Sequence, residues 1–254
     1  MHFPITLNEK ERQLRRLLLD VAAYVDRSNA QNAPMLRFAG GWVRDKLLGQ
    51  SSGDIDIAID TLTGLQFARH MKAYLETTDA DKVYAGIHIG SFAEIAANPE
   101  KSKHLETVST KILGFDIDLV NLRKETYTQD SRNPLVTFGT AEEDALRRDS
   151  TINSLFYNLT TESIEDFSGR GMNDLQRGLI KTPLDPLQTF CDDPLRILRA
   201  VRFASRYGFA IDDGDKLAMK NAAIGKLLRT KISRERIGTE ISKMLRGSRN
   251  SLHF

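Results

Sequence analysis

The stretch that most constrains this chain is Asp54-Ile55-Asp56-Ile57-Ala58-Ile59. It alternates strictly, and alternate residues of a β-strand share a face. Ile55, Ile57 and Ile59 therefore point into a core. Asp54 and Asp56 point the other way, beside small Ala58. Two carboxylates on one strand face repel unless something neutralises them, and a divalent ion such as Mg2+, which favours oxygen ligands, does so. An isolated Asp-x-Asp reads better as a solvated strand edge. Here, however, Phe115-Asp116-Ile117-Asp118-Leu119-Val120 repeats the arrangement on a second expected strand. If the two strands are neighbours, a third carboxylate can complete a metal site.

Ahead of this strand the chain runs from an apolar segment, 35–39, into Gly40-Gly41 and an expected helix over 42–48. Glycines let the backbone approach an anion, and a helix N-terminus offers free N–H groups and a positive dipole end. Arg44 falls in the first turn or so. By itself a Gly-Gly before a helix is a tight turn, and it lacks the dinucleotide-binding glycine spacing.

The rest of the pattern sets the fold class. Thr6 and Glu9 have the spacing of a helix capping box, and apolar residues at helical spacing predict a helix over 7–26. Residues 65–75 read as helix, 104–112 and 115–122 as strands split by Gly114, and the aperiodic stretch 93–102 as a mobile loop. A short strand pair is expected near 155–158 and 163–166. Helices are expected at 194–207, 213–228 and 234–245. The class is α+β: a small mixed sheet with helices, followed by an all-helical segment, with the boundary placed at 183/184.

Composition closes off several functions. The chain has 254 residues, with 36 Lys plus Arg against 34 Asp plus Glu, a formal charge of +2. That balance is no argument for nucleic-acid binding without local clustering. No apolar run approaches the roughly 20 residues of a membrane helix. The N-terminus lacks a signal-peptide core, and Glu9, Glu11 and Asp20 do not suit a mitochondrial presequence. A lone cysteine, Cys191, makes no disulfide framework and fits a reducing compartment. The expectation is a cytoplasmic protein, with nuclear or mitochondrial forms left open. Protein partners are not legible.

Further segments join these: Arg147-Arg148-Asp149-Ser150-Thr151-Ile152-Asn153, Asp166-Phe167-Ser168-Gly169-Arg170-Gly171 with Asp174-Leu175, Asp192-Asp193-Pro194-Leu195-Arg196 and Ile232-Ser233-Arg234-Glu235-Arg236. With Gly40-Gly41-Trp42-Val43-Arg44-Asp45-Lys46-Leu47-Leu48-Gly49 and Asp54-Ile55-Asp56 ahead of them, they resemble, in order, the five motifs of the class II tRNA nucleotidyltransferases of the polymerase-β superfamily, and Lys103-His104-Leu105-Glu106-Thr107 through Asp118-Leu119-Val120-Asn121-Leu122-Arg123 is similar to their fungal and eukaryotic branch. The glycine and Asp54-Ile55-Asp56 segments stand for the first motif, the Arg147 segment for the second and the Asp166 segment for the third. Asp192-Asp193-Pro194-Leu195-Arg196, continuing to Arg199, Arg202 and Phe203, is similar to the fourth, although the family more often has Glu at the position of Asp192. Ile232-Ser233-Arg234-Glu235-Arg236 resembles the fifth.

The resemblance implies a polymerase-β-like head over 1–183 and a helical neck over 184–254. The implied activity adds or repairs the 3′ CCA end of tRNA, without a template, from CTP and ATP. Two Mg2+ ions would be held by Asp54 and Asp56, with Asp118 as the third catalytic carboxylate and Asp116 on the same face. Gly40, Gly41 and Arg44 would hold the triphosphate, and Arg148, Asp149 and Asn153 the ribose and phosphates. Asp193 and Arg196 would read the base, Arg199 and Arg202 would touch phosphates, and the 93–102 loop would help switch from CTP to ATP. Arg234 and Arg236 would either position the neck helix or meet the tRNA acceptor stem. Asp192 would cap that helix, with Pro194 in its first turn. Relatives that add only CC, only A or poly(A) share these motifs. A truncated, non-catalytic RNA-binding product is the reading of another class, because family members continue into further helical domains that the last residues here do not resemble.

Overall fold

The computed structural model describes residues 5–29, 33–87, 90, 93–95, 107–127 and 134–247. Their contacts gather into two compact units that interleave along the chain. The first comprises Met1–Lys124, Val136–Ala141 and Phe156–Glu165, and the second Glu125–Leu135, Glu142–Leu155 and Asp166–Phe254. Residues 142–155 and 166–183 thus cluster with the helical part, a different cut from the division at 183/184.

The first unit is built on a seven-stranded sheet in the order β3-β4-β5-β2-β1-β8-β9. Its strands are β1 (Leu36–Ala39), β2 (Asp54–Ile59), β3 (Ala93–Ile95), β4 (Thr107–Ile112), β5 (Phe115–Asn121), β8 (Phe156–Asn158) and β9 (Ser163–Glu165). Two other short strands, β6 (Arg123–Thr126) and β7 (Leu135–Phe138), lie outside it. β2 and β5 run parallel and the remaining neighbours antiparallel, so the sheet is mixed.

Register follows the alternation read from the sequence. Ile55, Ile57 and Ile59 lie level with Ile117, Leu119 and Asn121. With Leu36, Phe38, Val108 and Ile112 they are buried, which places the core on that face. β4 and β5 are joined by two residues, Leu113 (φ 55°) and Gly114 (φ 89°), with Ile112 opposite Phe115. Two positive φ angles in a two-residue loop are what the right-handed twist of a tight hairpin requires.

Helices α1 (Glu9–Asn29), α2 (Gly41–Leu47), α3 (Gly64–Leu75) and α4 (Thr78–Tyr84) complete this unit. On α1, Leu14, Leu17, Leu18, Val21 and Val25 are buried. Its capping box is Asn8 with Glu11, not Thr6 with Glu9: the Glu11 amide donates to Asn8 Oδ1 (2.9 Å) and the Asn8 amide to Glu11 Oε2 (2.7 Å). Asn is at least as good a cap as Thr, so the helix starts two residues later than read. Residues 93–95, expected in a loop, form the edge strand β3; 96–102 and 104–106 lie outside the described residues. The Thr77 hydroxyl accepts the Ala80 amide and starts α4, a helix too short for its period to show in the sequence.

The second unit is mainly helical: α5 (Ala141–Leu146, its first residue in the first unit), α6 (Gly171–Gln176), α7 (Pro186–Asp192), α8 (Leu195–Tyr207), α9 (Asp213–Met219), α10 (Ala222–Lys231) and α11 (Arg234–Gly247). A 3-10 turn spans Thr151–Asn153, and β10 (Leu179–Ile180) pairs with β11 (Ala210–Ile211). The single helix read at 213–228 is two helices. Asn221 accepts the Ala223 amide and starts α10 afresh, because a short polar side chain competes for the backbone and favours a cap over a helix interior. No helix among the described residues is long and apolar enough to cross a membrane.

Candidate active site

In the first unit the parallel pairing of β2 and β5 sets Asp54 level with Asp116 and Asp56 level with Asp118. The four acids occupy the face opposite the isoleucine core, near the N-terminal ends of two adjacent strands. The two β5 acids are treated differently. Asp116 pairs with Lys111 at 2.9 Å, and both side chains are more than half exposed. Asp118 Oδ1 accepts the Ser109 hydroxyl at 2.5 Å. Among the described residues no three or more His, Cys, Asp or Glu side chains come together closely enough to hold a metal ion by themselves, so an ion on this face would draw the rest of its ligands from water and substrate.

The Gly-Gly turn opens beside this face. On β1, Ala39 lies opposite Asp56, so the chain leaves the sheet at Gly40 next to the acids. Gly40 has φ 60°, a backbone region that L side chains rarely adopt. A Cβ on Gly41 would meet the Arg44 guanidinium at 3.6 Å. Arg44 itself is buried and paired with Asp45 Oδ1 at 2.7 Å, so its charge sits behind the turn rather than on the surface. α2 is also tied from outside: Lys46 Nζ lies 2.6 Å from Glu11 Oε2, on the capping residue of α1.

In the second unit the expected nucleotide contacts form a linked set of ion pairs. Asp149 Oδ1 accepts the Asn153 amide at 2.9 Å and Oδ2 accepts Arg199 Nε at 2.6 Å. Burial would raise the Asp149 carboxyl, but the Arg199 charge and the two hydrogen bonds hold it down at about 2. Arg148 donates to Asp144 Oδ1 (2.8 Å) and to the Asn153 carbonyl (3.1 Å). Arg147 takes the other Asp144 oxygen at 2.6 Å. Burial opposes the Asp144 charge too, and the two arginines overcome it and lower its pKa.

On α8, Arg196, Arg199 and Arg202 follow at three-residue spacing and share a face. Arg196 is buried; its Nη2 donates to the Arg147 carbonyl at 2.7 Å and lies 3.8 Å from Glu125. Arg202 bonds Glu240 of α11 at 2.6 Å and lies 4.2 Å from the Phe203 ring centre. Asp193 accepts the Leu195 amide at 3.1 Å and meets Arg236 at 3.5 Å. The N-cap position of α8 is Pro194, without a side-chain cap bond, and the Asp193 carboxylate takes the Leu195 amide from just ahead of it. Asp192 closes α7, bonded to Gln188.

The sequence reading missed four members of this set: Glu125, Tyr127, Asp144 and Glu240. Asp144 had a signal, because Arg147 and Arg148 lie three and four residues on. Glu125, Tyr127 and Glu240 meet the α8 arginines from 38 to 71 residues away in sequence, and no local spacing announces them.

A mixed sheet of this order, with acids paired across two parallel strands beside a Gly-Gly turn, is a polymerase-β-like nucleotidyltransferase head. The chain belongs to the family of the poly A polymerase head domain, which matches residues 36–181. It is 54% identical over 248 residues to "Nucleotidyltransferase lcsQ" of Purpureocillium lilacinum, covering 96% of this chain and 41% of that protein. It is 51% identical over 244 residues to "CCA tRNA nucleotidyltransferase, mitochondrial" of Candida glabrata, covering 96% and 45%. It superposes on a solved CCA-adding enzyme in complex with CTP with a TM-score of 0.70 and 28% identity, covering 97% of this chain and 49% of that one. The chain thus spans less than half the length of these relatives.

Proposed function

We propose that this chain carries the catalytic head and neck of a nucleotidyltransferase that adds or repairs the 3′ CCA end of tRNA from CTP and ATP. The observation that carries the reading is the register that sets Asp54 and Asp56 level with Asp116 and Asp118, at the mouth of the Gly40-Gly41 turn. The printed names of the relatives, one of them solved with CTP, support the same activity. A relative named mitochondrial supports an organellar form beside a cytoplasmic one.

The donor set suits Mg2+, which takes one or two carboxylates and completes its shell with water and substrate phosphates. Asp54 and Asp56 would hold the two ions, and Asp118 is the third carboxylate. Bound there, the metal supplies charge neutralisation for the triphosphate and a lowered pKa for the tRNA 3′ hydroxyl. Phosphoryl transfer asks the protein mainly for positioning. Gly40 and Gly41 let the backbone close on the triphosphate, with Arg44 behind them. Arg148, Asp149 and Asn153 hold the ribose and phosphates, where a 2′ hydroxyl needs both a donor and an acceptor. Asp193 and Arg196 offer an acceptor and a donor fork to the edge of the incoming base, in place of a template strand. Arg199 and Arg202 act on phosphates. The functional division remains head 1–183 and neck 184–254.

The test is incorporation of labelled CTP and ATP by the purified chain with Mg2+, onto tRNAs lacking their last three, two or one nucleotides. Addition of C, C and then A, stopping there, establishes the reading. Addition of only C, only A or an A tail moves it to a specialist relative. No incorporation by folded protein at high tRNA concentration overturns catalysis by this chain.

A further inference from the structure

We propose that Ser109 is a positioning residue: its hydroxyl fixes Asp118 as the metal-side carboxylate of β5. The inference rests on the reading of Asp54, Asp56 and Asp118 given above. The antiparallel register of β4 and β5 puts Ser109 opposite Asp118, on the face that carries Asp54 and Asp56. The Ser109 hydroxyl donates to Asp118 Oδ1 at 2.5 Å. A hydroxyl bonded to an ionised carboxylate at this distance is in the strong, charge-assisted class. It holds the rotamer of Asp118 with a neutral donor.

The neighbouring acid shows the opposite treatment. Lys111 lies opposite Asp116 and pairs with it at 2.9 Å, with side chains 63% and 61% exposed. Such a pair is loose and worth little, and it gives Asp116 no fixed orientation towards the acids of β2. Of two acids on one strand, one is in a loose exposed ion pair and the other is held by a neutral hydroxyl. Partners that orient a metal's ligands change metal affinity by about 10–100-fold when removed. Ser109 stands in that relation to Asp118.

The experiment titrates the whole chain, with CTP present, with Mn2+ as a stand-in for Mg2+, and follows free Mn2+ by electron paramagnetic resonance. Turnover plays no part in this readout. Ser109→Ala is expected to weaken Mn2+ binding about tenfold. Ser109→Thr, which keeps the hydroxyl on a residue suited to strands, is expected to restore it. Equal binding by wild type and Ser109→Ala, while Asp54→Ala and Asp118→Asn lose it, overturns the role of Ser109 and leaves the functional reading standing. Equal weakening by Ser109→Ala and Ser109→Thr also overturns it, since packing rather than the hydroxyl would then matter. Wild-type binding by Asp54→Ala and Asp118→Asn overturns the functional reading itself. Should Ser109→Ala unfold, Ser109→Cys, a weaker donor of similar volume, takes its place with the same two outcomes.

Discussion

The acid-bearing sheet face of the first unit and the arginine-bearing face of α8 in the second both concentrate charge, and they handle it in opposite ways. On the sheet, Asp54 and Asp56 are exposed and like-signed, one strand away from two more acids. Around α8, nearly every charge is partnered: Asp149 with Arg199, Arg202 with Glu240, Asp144 with Arg147 and Arg148, Asp193 with Arg236. Neighbouring like charges on an exposed face store repulsion that a cation relieves. Paired charges are a rigid frame that fixes where each guanidinium points. The first arrangement suits chemistry, and the second suits shape recognition.

The contrast breaks most visibly at Asp56. Asp56→Ala is expected to abolish incorporation, by about three orders of magnitude or more, since metal-borne charge stabilisation is worth several kcal/mol and each 1.4 kcal/mol is tenfold. Stability should move by no more than about 0.5 kcal/mol, because the side chain is on the exposed face. Steady-state incorporation and urea unfolding check both halves. A variant with wild-type activity would remove the metal role.

Asp144→Ala should do the reverse in kind. It leaves two largely buried guanidinium groups without their shared carboxylate, a loss of about 3–5 kcal/mol measured by urea unfolding. A loss below about 1 kcal/mol would show that these arginines find other partners.

The third test uses acid. Asp149 has its folded pKa held at about 2, below its unfolded value of about 3.9. Its contribution to stability is therefore complete above about pH 4 and is lost as pH falls from there towards 2. Asp149→Asn should flatten the unfolding free energy in that window, and an unchanged acid limb would refute the assignment.

A smaller and more selective effect is expected at Asp193. Asp193→Ala removes one long ion pair and one bond to the Leu195 amide, about 1 kcal/mol in all. It should blur the choice among CTP, ATP, UTP and GTP more than it harms folding. Unchanged selectivity in competition assays would end the template role. The smallest change is Lys111→Ala, whose exposed pair with Asp116 is worth less than about 1 kcal/mol.

The two regions also differ in how much of them the sequence disclosed. A period of two is a local signal, so the faces of β2 and β5, the apolar ladder beneath them and the turn at Gly40 were legible without the fold. Chain order alone could not show that β2 and β5 are parallel neighbours. Around α8 the arginines were legible as a stripe at helical spacing, but their partners were not. Glu125 and Glu240 come from distant segments, and a charge on a helix face looks the same whether it ends in water or in a buried pair. Local competition explains the smaller misses. Asn8 outdid Thr6 as a cap, Asn221 broke one apparent helix into two, and α4 and β3 were too short for a period to be counted.

The two-residue turn at Leu113-Gly114 has a consequence for how such a chain can change over time. Because the turn has a fixed length, Ile112 faces Phe115, and the same count carried inwards brings Ser109 to Asp118. One residue added there without a bulge to absorb it would slip β4 against β5 and turn the side chains of one of them to the other face. Descendants of this sequence are thus free to vary what stands in the turn, within what positive φ allows, but not how many residues it holds. Its length is inherited with the active site.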